Sequence, residues 1–425
     1  MAEKPTVNWL ADTLQLVEMA QVVTASRAGD ARPRRSPTGR DEPTIRLLNE
    51  LLVRAVRLEV SDVHLVMAGV KLRVRFRADG VLYDTLEMPG ELAPGLISRI
   101  KHLAGLRLSE LRHPQQGSFV IEVDGSSVDI RVQTIALFAG ESCVLRILDR
   151  ARPLLGLDEL GMPAATLASY REVAHTPGGM IVAVGPVGSG KTTTLHATLV
   201  EIADESLNVV TIEDPVEYVF PQFQQINVND ETGVSFLEGL RVTLRFDSNI
   251  ILVGEIRDEE TAQTALSAAL TGHAVLTTTH ARDATSAILR LSAMEIEAFL
   301  LANALKGVVA QRLVRHICDN CREPVELPPL ERAFIEQFLP EKEEFTKGRG
   351  CEECKGTGYH GRLGVYEFLR MTPAIGKLIS SSPNEDAIRA TALAEGMITL
   401  EQGALALVHD DKTTPAEVLR GAFSK

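Results

Sequence analysis

Aromatic residues make up only 4% of this 425-residue chain, with a single tryptophan. Few side chains are therefore available to stack on bases, which argues against a single-stranded nucleic-acid binder. No apolar run approaches the roughly 18 residues a membrane helix needs. The best stretch, AFLLANALKGVVAQ, is broken by Asn303 and Lys306. The opening MAEKPTVNWLAD lacks the basic-then-apolar order of a secretory signal, so a cytoplasmic location is expected. Positive charge is in deficit too. A net charge of −13 speaks against tight, unassisted binding to nucleic-acid backbone, and no strong nucleic-acid binding is expected. Cysteine is sparse, at five residues. Four of them form Cys318-x-x-Cys321 and Cys351-x-x-Cys354, and Cys143 stands alone. In a cytosolic chain, two such pairs read as a zinc site rather than a disulfide framework.

The length allows two or three domains. Residues 6–25 are amphipathic enough for one helix, and residues 26–42, rich in Arg, Pro, Gly and Ser, read as a flexible linker. A first α+β domain is expected over 43–150. TIRLLNELLVRAVRL has helical spacing, and VKLRVRFRADGVLYDTL alternates around a turn at Ala78-Asp79-Gly80. A helix in LISRIKHLAGL follows, then strands SFVIEV and SSVDIRVQT around Asp124-Gly125, and VLRIL closes the set. Residues 151–164 form a Pro/Gly-punctuated linker. From 165 to 425, helical patterns alternate with the short apolar strands MIVAV, NVVTI, NIILV and HAVLTTT. That alternation predicts an α/β domain with a mainly parallel sheet.

Gly185-x-x-x-x-Gly190-Lys191-Thr192 follows an apolar strand and opens a helical pattern, the setting a phosphate-binding loop requires. Gly185, Pro186, Val187, Gly188, Ser189, Gly190, Lys191, Thr192 and Thr193 are the expected nucleotide-binding residues. Backbone N–H groups and the helix N-terminus face the phosphates, Lys191 reaches the β- and γ-phosphates, and the Thr192 hydroxyl takes magnesium. IILVGE ends a buried strand on Glu255, whose reach favours holding magnesium through a bound water. NVVTIEDPVEY ends another on Glu213. If that strand adjoins the P-loop strand, Glu213 points at the γ-phosphate and could deprotonate the attacking water. A strand-end surface charge is the plainer reading of either carboxylate. HAVLTTTH sets His273 and His280 on opposite sides of a strand, and His280, at its C-terminal end, is the better γ-phosphate sensor. Arg241 and Arg245, four apart, would share a helix face, as phosphate ligands or as an ordinary surface pair. The four cysteines supply enough thiolates for a closed, structural zinc site, unless they are simply buried thiols.

From about residue 43 onward the chain resembles the secretion ATPase superfamily, specifically the type II secretion and type IV pilus assembly ATPases. The stretches that carry the resemblance are SDVHL, LRVRFRADGVL, ISRIKHLAGL, VDIRV, GPVGSGKTTTLHATL, TIEDPVEY, IILVGEIRDEETAQTALSAALTGHAVLTTTH, AQRLVRHICDNC and CEECKGTGYHGRLGVYE. The resemblance implies a RecA-like ATPase core and a smaller N-terminal domain, assembled as a homo-hexamer that hydrolyses ATP with Mg²⁺. It implies an Asp box at Thr211–Glu217, a Walker B at Ile250–Glu255 and a His box at Gly272–His280. Arg131 in VDIRV and Arg146 in VLRIL match first-domain arginines that swing onto the nucleotide. A tetracysteine zinc element, here within 312–362, marks assembly-type rather than retraction-type members. The implied partners are an inner-membrane platform protein and a cytoplasmic docking protein, which would place the chain peripherally at the inner membrane.

The chain departs from the family pattern in places. LRFDSN stands where LRQDPD is usual, changing Phe246, Ser248 and Asn249. PQQG at Pro114–Gly117 replaces PQDG, and HARD after the His box replaces HTND. Only about forty residues precede the first domain. The expected activity is an ATP-driven motor for pseudopilus or pilus assembly. A retraction or DNA-uptake motor, a nucleic-acid translocase and a non-hydrolysing scaffold are the alternatives.

Overall fold

The computed structural model describes residues 25–27, 43–149, 153–229, 233–381 and 383–422. The helix expected over 6–25 and the linker over 26–42 thus lie outside the described residues, apart from the short strand β1 (Ala25–Arg27). The chain divides into two compact units. The first takes the described residues up to Pro153 together with the short stretch Gly350–Thr357, and the second takes Leu154–Arg349 and the described residues from Gly358 onward.

In the first unit, α1 (Pro43–Arg57) precedes β2 (Asp62–Ala68), β3 (Lys71–Ala78) and β4 (Val81–Pro89). After α2 (Ala93–Leu103) come β5 (Gln115–Val123), β6 (Ser126–Leu137) and β7 (Gly140–Asp149). One sheet in the order β1-β5-β6-β7-β2-β3-β4 results, with every pairing antiparallel. The Asp79-Gly80 and Asp124-Gly125 corners put both residues at positive φ, the twist a two-residue hairpin needs. Along β3 the apolar Leu72, Val74 and Phe76 face inward onto α1's Leu48, Leu51 and Leu52, while Lys71 and Arg73 stay in water.

The second unit opens with α3 (Ala164–Ala174), β8 (Gly179–Val184), α4 (Lys191–Ile202), β9 (Val209–Glu213), β10 (Gln224–Asn227) and α5 (Phe236–Thr243). Next come β11 (Ile250–Val253), α6 (Glu259–Leu270), β12 (Ala274–Thr279), α7 (Ala284–Ser292), α8 (Ala298–Ala304) and β13 (Leu305–Ile317). Its sheet runs β10-β9-β11-β12-β8-β13-β16, parallel throughout except for β16 (Tyr359–Arg370), which is antiparallel to β13. Every residue of β8, β9 and β11 is buried, as in a parallel sheet covered by helices on both faces, and in β9 this includes the polar Thr211 and Glu213. Register sets Ile212, Val253, Thr277 and Val182 in one row, and the four strands end at that row or within two residues beyond it, at one edge. Loops at that carboxyl edge are where ligands bind in such sheets. Helix patterns at the chain's end form α10 (Pro373–Ser381), α11 (Glu385–Ala394), α12 (Leu400–His409) and α13 (Pro415–Gly421). Between β13 and β16 the chain also makes β14 (Arg322–Val325), α9 (Pro329–Ile335) and β15 (Phe345–Gly348).

One buried carboxylate fastens α13 to the sheet. Glu417 accepts from Arg315 Nη2 at 2.6 Å and from Arg420 Nη2 at 2.7 Å. Burial alone would raise its pKa, but Arg420 and Arg315 outweigh it and hold the group down at about 2. Its folded-state pKa is depressed, so its stabilisation is complete above the ordinary carboxylate value and is lost as pH falls toward 2. Glu417→Gln is expected to destabilise the protein by roughly 2–3 kcal/mol at neutral pH, below the usual buried-pair cost because Arg420 is half exposed. Urea denaturation across pH should show the wild-type advantage closing between about 4.5 and about 2.

Candidate functional site

The loop from Gly185 to Gly190 leaves β8 and enters α4 in a conformation that needs its glycines. Gly185, Gly188 and Gly190 have φ of 151°, 76° and 88°. A Cβ on Gly190 would come within 2.6 Å of Gln311 Nε2, and one on Gly185 within 2.5 Å of the Gln311 carbonyl. β13 thus forms the floor of the loop, and Thr194 fixes the Gln311 side chain through a 2.7 Å hydrogen bond. Ser189 Oγ is buried with no hydrogen-bond partner, which suits a loop shaped for phosphate oxygens.

Lys191 Nζ donates to the carbonyls of Gly185 at 2.9 Å and Pro186 at 3.1 Å. Burial lowers its pKa from the ordinary lysine value, with Glu255 opposing the shift and Arg312 adding to it. His280 Nδ1 lies 3.3 Å from the same Gly185 carbonyl, and its Nε2 lies 3.8 Å from Glu255 Oε2. Glu255 also accepts from Arg257. Three separate carboxyl-edge loops therefore bring Lys191, Glu255 and His280 to one place. His273 takes no part in this cluster: its Nδ1 lies 3.0 Å from the Ala268 carbonyl. Behind the His box, Arg312 donates to the Arg282 and Gln311 carbonyls, and Arg282 pairs with Asp283 and Glu385. The arginine of HARD thus ties the His box to α11.

The condition set for Glu213, that its strand adjoin the P-loop strand, is not met. β11 and β12 lie between β9 and β8, a separation of about 14 Å at the usual strand spacing. Glu213 is nevertheless linked to the loop by α4. His196, fully buried on that helix, lies 3.2 Å from Glu213 Oε2. Its Nδ1 lies 2.9 Å from the Thr192 carbonyl. Burial would raise the Glu213 pKa, but His196, Thr211 and Gln225 together outweigh it and hold the carboxyl below its ordinary range. Glu213 is thus a buried carboxylate rather than a surface one. His196 was missed in the sequence, although it stands four residues after Thr192 and so on the same helix face.

The shared helix face expected of Arg241 and Arg245 is corrected as well. α5 stops at Thr243, and Asp247 turns the chain at a φ of 51°. Arg241 pairs with Glu238 and Glu260 at the surface. Arg245 belongs to the LRFDSN turn, which lies before β11, at the sheet edge opposite the P-loop. There Asn249 Oδ1 accepts from the Asn208 N–H at 2.7 Å, and the Asn208 amide donates to the Phe246 and Asp247 carbonyls. The departure in that turn therefore leaves the carboxyl-edge cluster untouched. In the first unit, Arg131 and Arg146 stand directly opposite each other on β6 and β7, and Arg146 Nε donates to Asp62 at 3.0 Å.

The Sγ atoms of Cys318, Cys321, Cys351 and Cys354 all lie within 4.8 Å of one another. Those of Cys351 and Cys354 are 3.7 Å apart, close to the roughly 3.8 Å edge of a tetrahedron with 2.3 Å zinc–sulfur bonds. The sequence builds this gathering simply. β14 starts just after Cys321, and its first residue pairs with Gly348 of β15, just before Cys351. Gly356 at positive φ then folds its N–H onto the Cys351 carbonyl at 2.8 Å. Four thiolates leave no open coordination position, so the donor set fits a structural Zn²⁺.

A family model described as "Type II/IV secretion system protein" matches residues 38–420. The type II secretion system protein E of Pseudomonas aeruginosa is 42% identical over 380 residues, covering 89% of this chain and 76% of its own. The type II secretion system ATPase E of Vibrio cholerae is 40% identical over 374 residues, 86% of this chain and 74% of its own. The type IV pilus assembly ATPase PilB of Acinetobacter baylyi is 40% identical over 387 residues, 89% of this chain and 66% of its own. Among solved structures, the pilus retraction motor PilT with bound ADP superposes at a TM-score of 0.57 and 26% identity, covering 87% of this chain and 95% of PilT.

Proposed function

Because the chain belongs to the type II/IV secretion system protein family and is an ATPase of the secretion and pilus class, we propose that it is the motor of an assembly machine. It works as a ring of six at the inner membrane, on the cytoplasmic side. Through an inner-membrane platform protein, with a cytoplasmic docking protein as its anchor, its turnover extrudes pilin-like subunits. Support for assembly over retraction comes from the four gathered cysteines and from relatives named for secretion and pilus assembly.

The observation that carries the chemistry is the meeting of Lys191, His280 and Glu255 at the Gly185 loop. Lys191 leaves the loop carbonyls for the β- and γ-phosphates and neutralises their charge. The Thr192 hydroxyl and, through water, Glu255 would hold magnesium, which when bound would supply positive charge against the phosphates. His280 senses the γ-phosphate from the Glu255 side. Glu213, kept ionised in its buried setting, takes the proton of the attacking water. Arg131 and Arg146 complete the charge around the triphosphate.

Glu255→Gln and Glu213→Gln should each lower ATP turnover by about 10²–10³-fold while nucleotide still binds. Phosphate-release assays beside fluorescent-nucleotide binding check this, and wild-type turnover in either variant removes that residue from the mechanism. In the cell, deletion of the gene should abolish export or piliation, and the Glu255→Gln chain should fail to restore it. Loss of pilus retraction or of DNA uptake alone would favour the other kind of motor.

A further inference from the structure

Glu213 is held on every side. Its Oε1 accepts from the Thr211 hydroxyl at 2.6 Å and the Gln225 amide at 3.2 Å, while Oε2 faces His196 Nε2 at 3.2 Å. The His196 ring is fully buried. It stacks on Phe220, with centroids 5.5 Å apart and planes 23° apart, and abuts Tyr218 at 5.4 Å. At its other end, Nδ1 lies 2.9 Å from the Thr192 carbonyl. A carbonyl can only accept, so Nδ1 carries the hydrogen of that bond. Nε2 is left facing the Glu213 carboxylate across 3.2 Å, where a protonated ring forms an ion pair with it.

We propose that His196 is a positioning residue for ATP hydrolysis: a buried strut that sets the Glu213 carboxylate at a fixed offset from Thr192 at the start of α4. This rests on the reading of Glu213 as the base for the attacking water. β9 is separated from β8 by two strands, so the sheet alone does not bring that carboxylate to the nucleotide loop. The imidazole joins the two across the covering helix. When α4 and its loop take up the phosphates, Glu213 is aimed with them. The aromatic pair keeps the ring from rotating away, and Thr211 with Gln225 keeps Oε1 from competing for it. A strut of this kind orients the base without touching nucleotide, so its loss falls on kcat and spares KM.

The test uses the full chain with His196→Leu and His196→Gln, reading steady-state kcat and KM for ATP beside a thermal melt. His196→Leu is expected to lose about 10²-fold in kcat, the scale of a misplacement of about 1 Å, with KM near wild type. His196→Gln, whose amide can still donate to Glu213, should recover most of that loss. In a Glu213→Gln background, His196→Leu should cost nothing more. If His196→Leu does not fold, His196→Asn serves: its shorter amide keeps Thr192 but not Glu213, and the same kcat loss is expected. Wild-type kcat in a folded His196→Leu chain, or a Gln variant no better than Leu, overturns the proposal. Normal turnover in Glu213→Gln instead overturns the reading of Glu213 on which it rests.

Discussion

Lys191→Ala is expected to lower ATP turnover by about 10³-fold, the upper range for removing one preorganised charge stabiliser. Its ammonium sits on the Gly185 and Pro186 carbonyls and is partly desolvated. A desolvated ammonium is worth far more against developing phosphate charge than one in water. Alanine removes that charge and leaves the loop amides and the helix N-terminus in place. Nucleotide should then bind more weakly while hydrolysis nearly stops. Lys191→Arg should not rescue it, because the planar guanidinium is a wider group than the ammonium the loop encloses. Phosphate release measured at saturating ATP checks this, and turnover within a few-fold of wild type in Lys191→Ala would remove the lysine from the chemistry.

The second large effect concerns zinc. Structural zinc sites contribute on the order of 10–16 kcal/mol of apparent binding energy in small peptides, and that energy is folding energy. The β14–β15 ladder between the two cysteine pairs has only four residues per strand. A two-stranded ladder that short is marginal without help. Cys321→Ser or Cys354→Ser should therefore cut zinc content well below one per chain and open the 322–350 segment to proteolysis. Prolonged treatment with a strong chelator should do the same to the wild type. Metal analysis paired with limited proteolysis reads both outcomes. A wild-type chain purified without zinc and still protease-resistant across 322–350 would contradict the assignment.

Local signals in the sequence translated directly. The Asp79-Gly80 and Asp124-Gly125 turns fall where the alternating strands break, because two positive-φ residues are a requirement short-range chemistry can announce. The glycine spacing before Lys191 likewise states a loop geometry that no other residue types satisfy. Strand order was not written locally. β9 and β8 lie three positions apart because crossover helices, not neighbouring residues, decide where a parallel strand is added. That is why the place of Glu213 depended on a strand order the residues do not state, and why its link to the loop runs through a helix. The Arg241–Arg245 pair failed for a related reason. Periodicity of four persists past the point where Ser248 Oγ bonds the Thr243 carbonyl and ends the helix. His196 could have been found by asking which α4 residue stands one turn beyond Thr192, but only tertiary packing shows that it meets a carboxylate.

The most direct measurement is a crystal structure of the full chain with Mg²⁺ and a non-hydrolysable ATP analogue. The account predicts Lys191 Nζ on β- and γ-phosphate oxygens, Glu255 facing a water of the metal, and Glu213, still against His196, within one water of the γ-phosphorus. Phosphates bound away from the Gly185–Thr192 loop, or Glu213 left with no water path to the γ-phosphate, would contradict it.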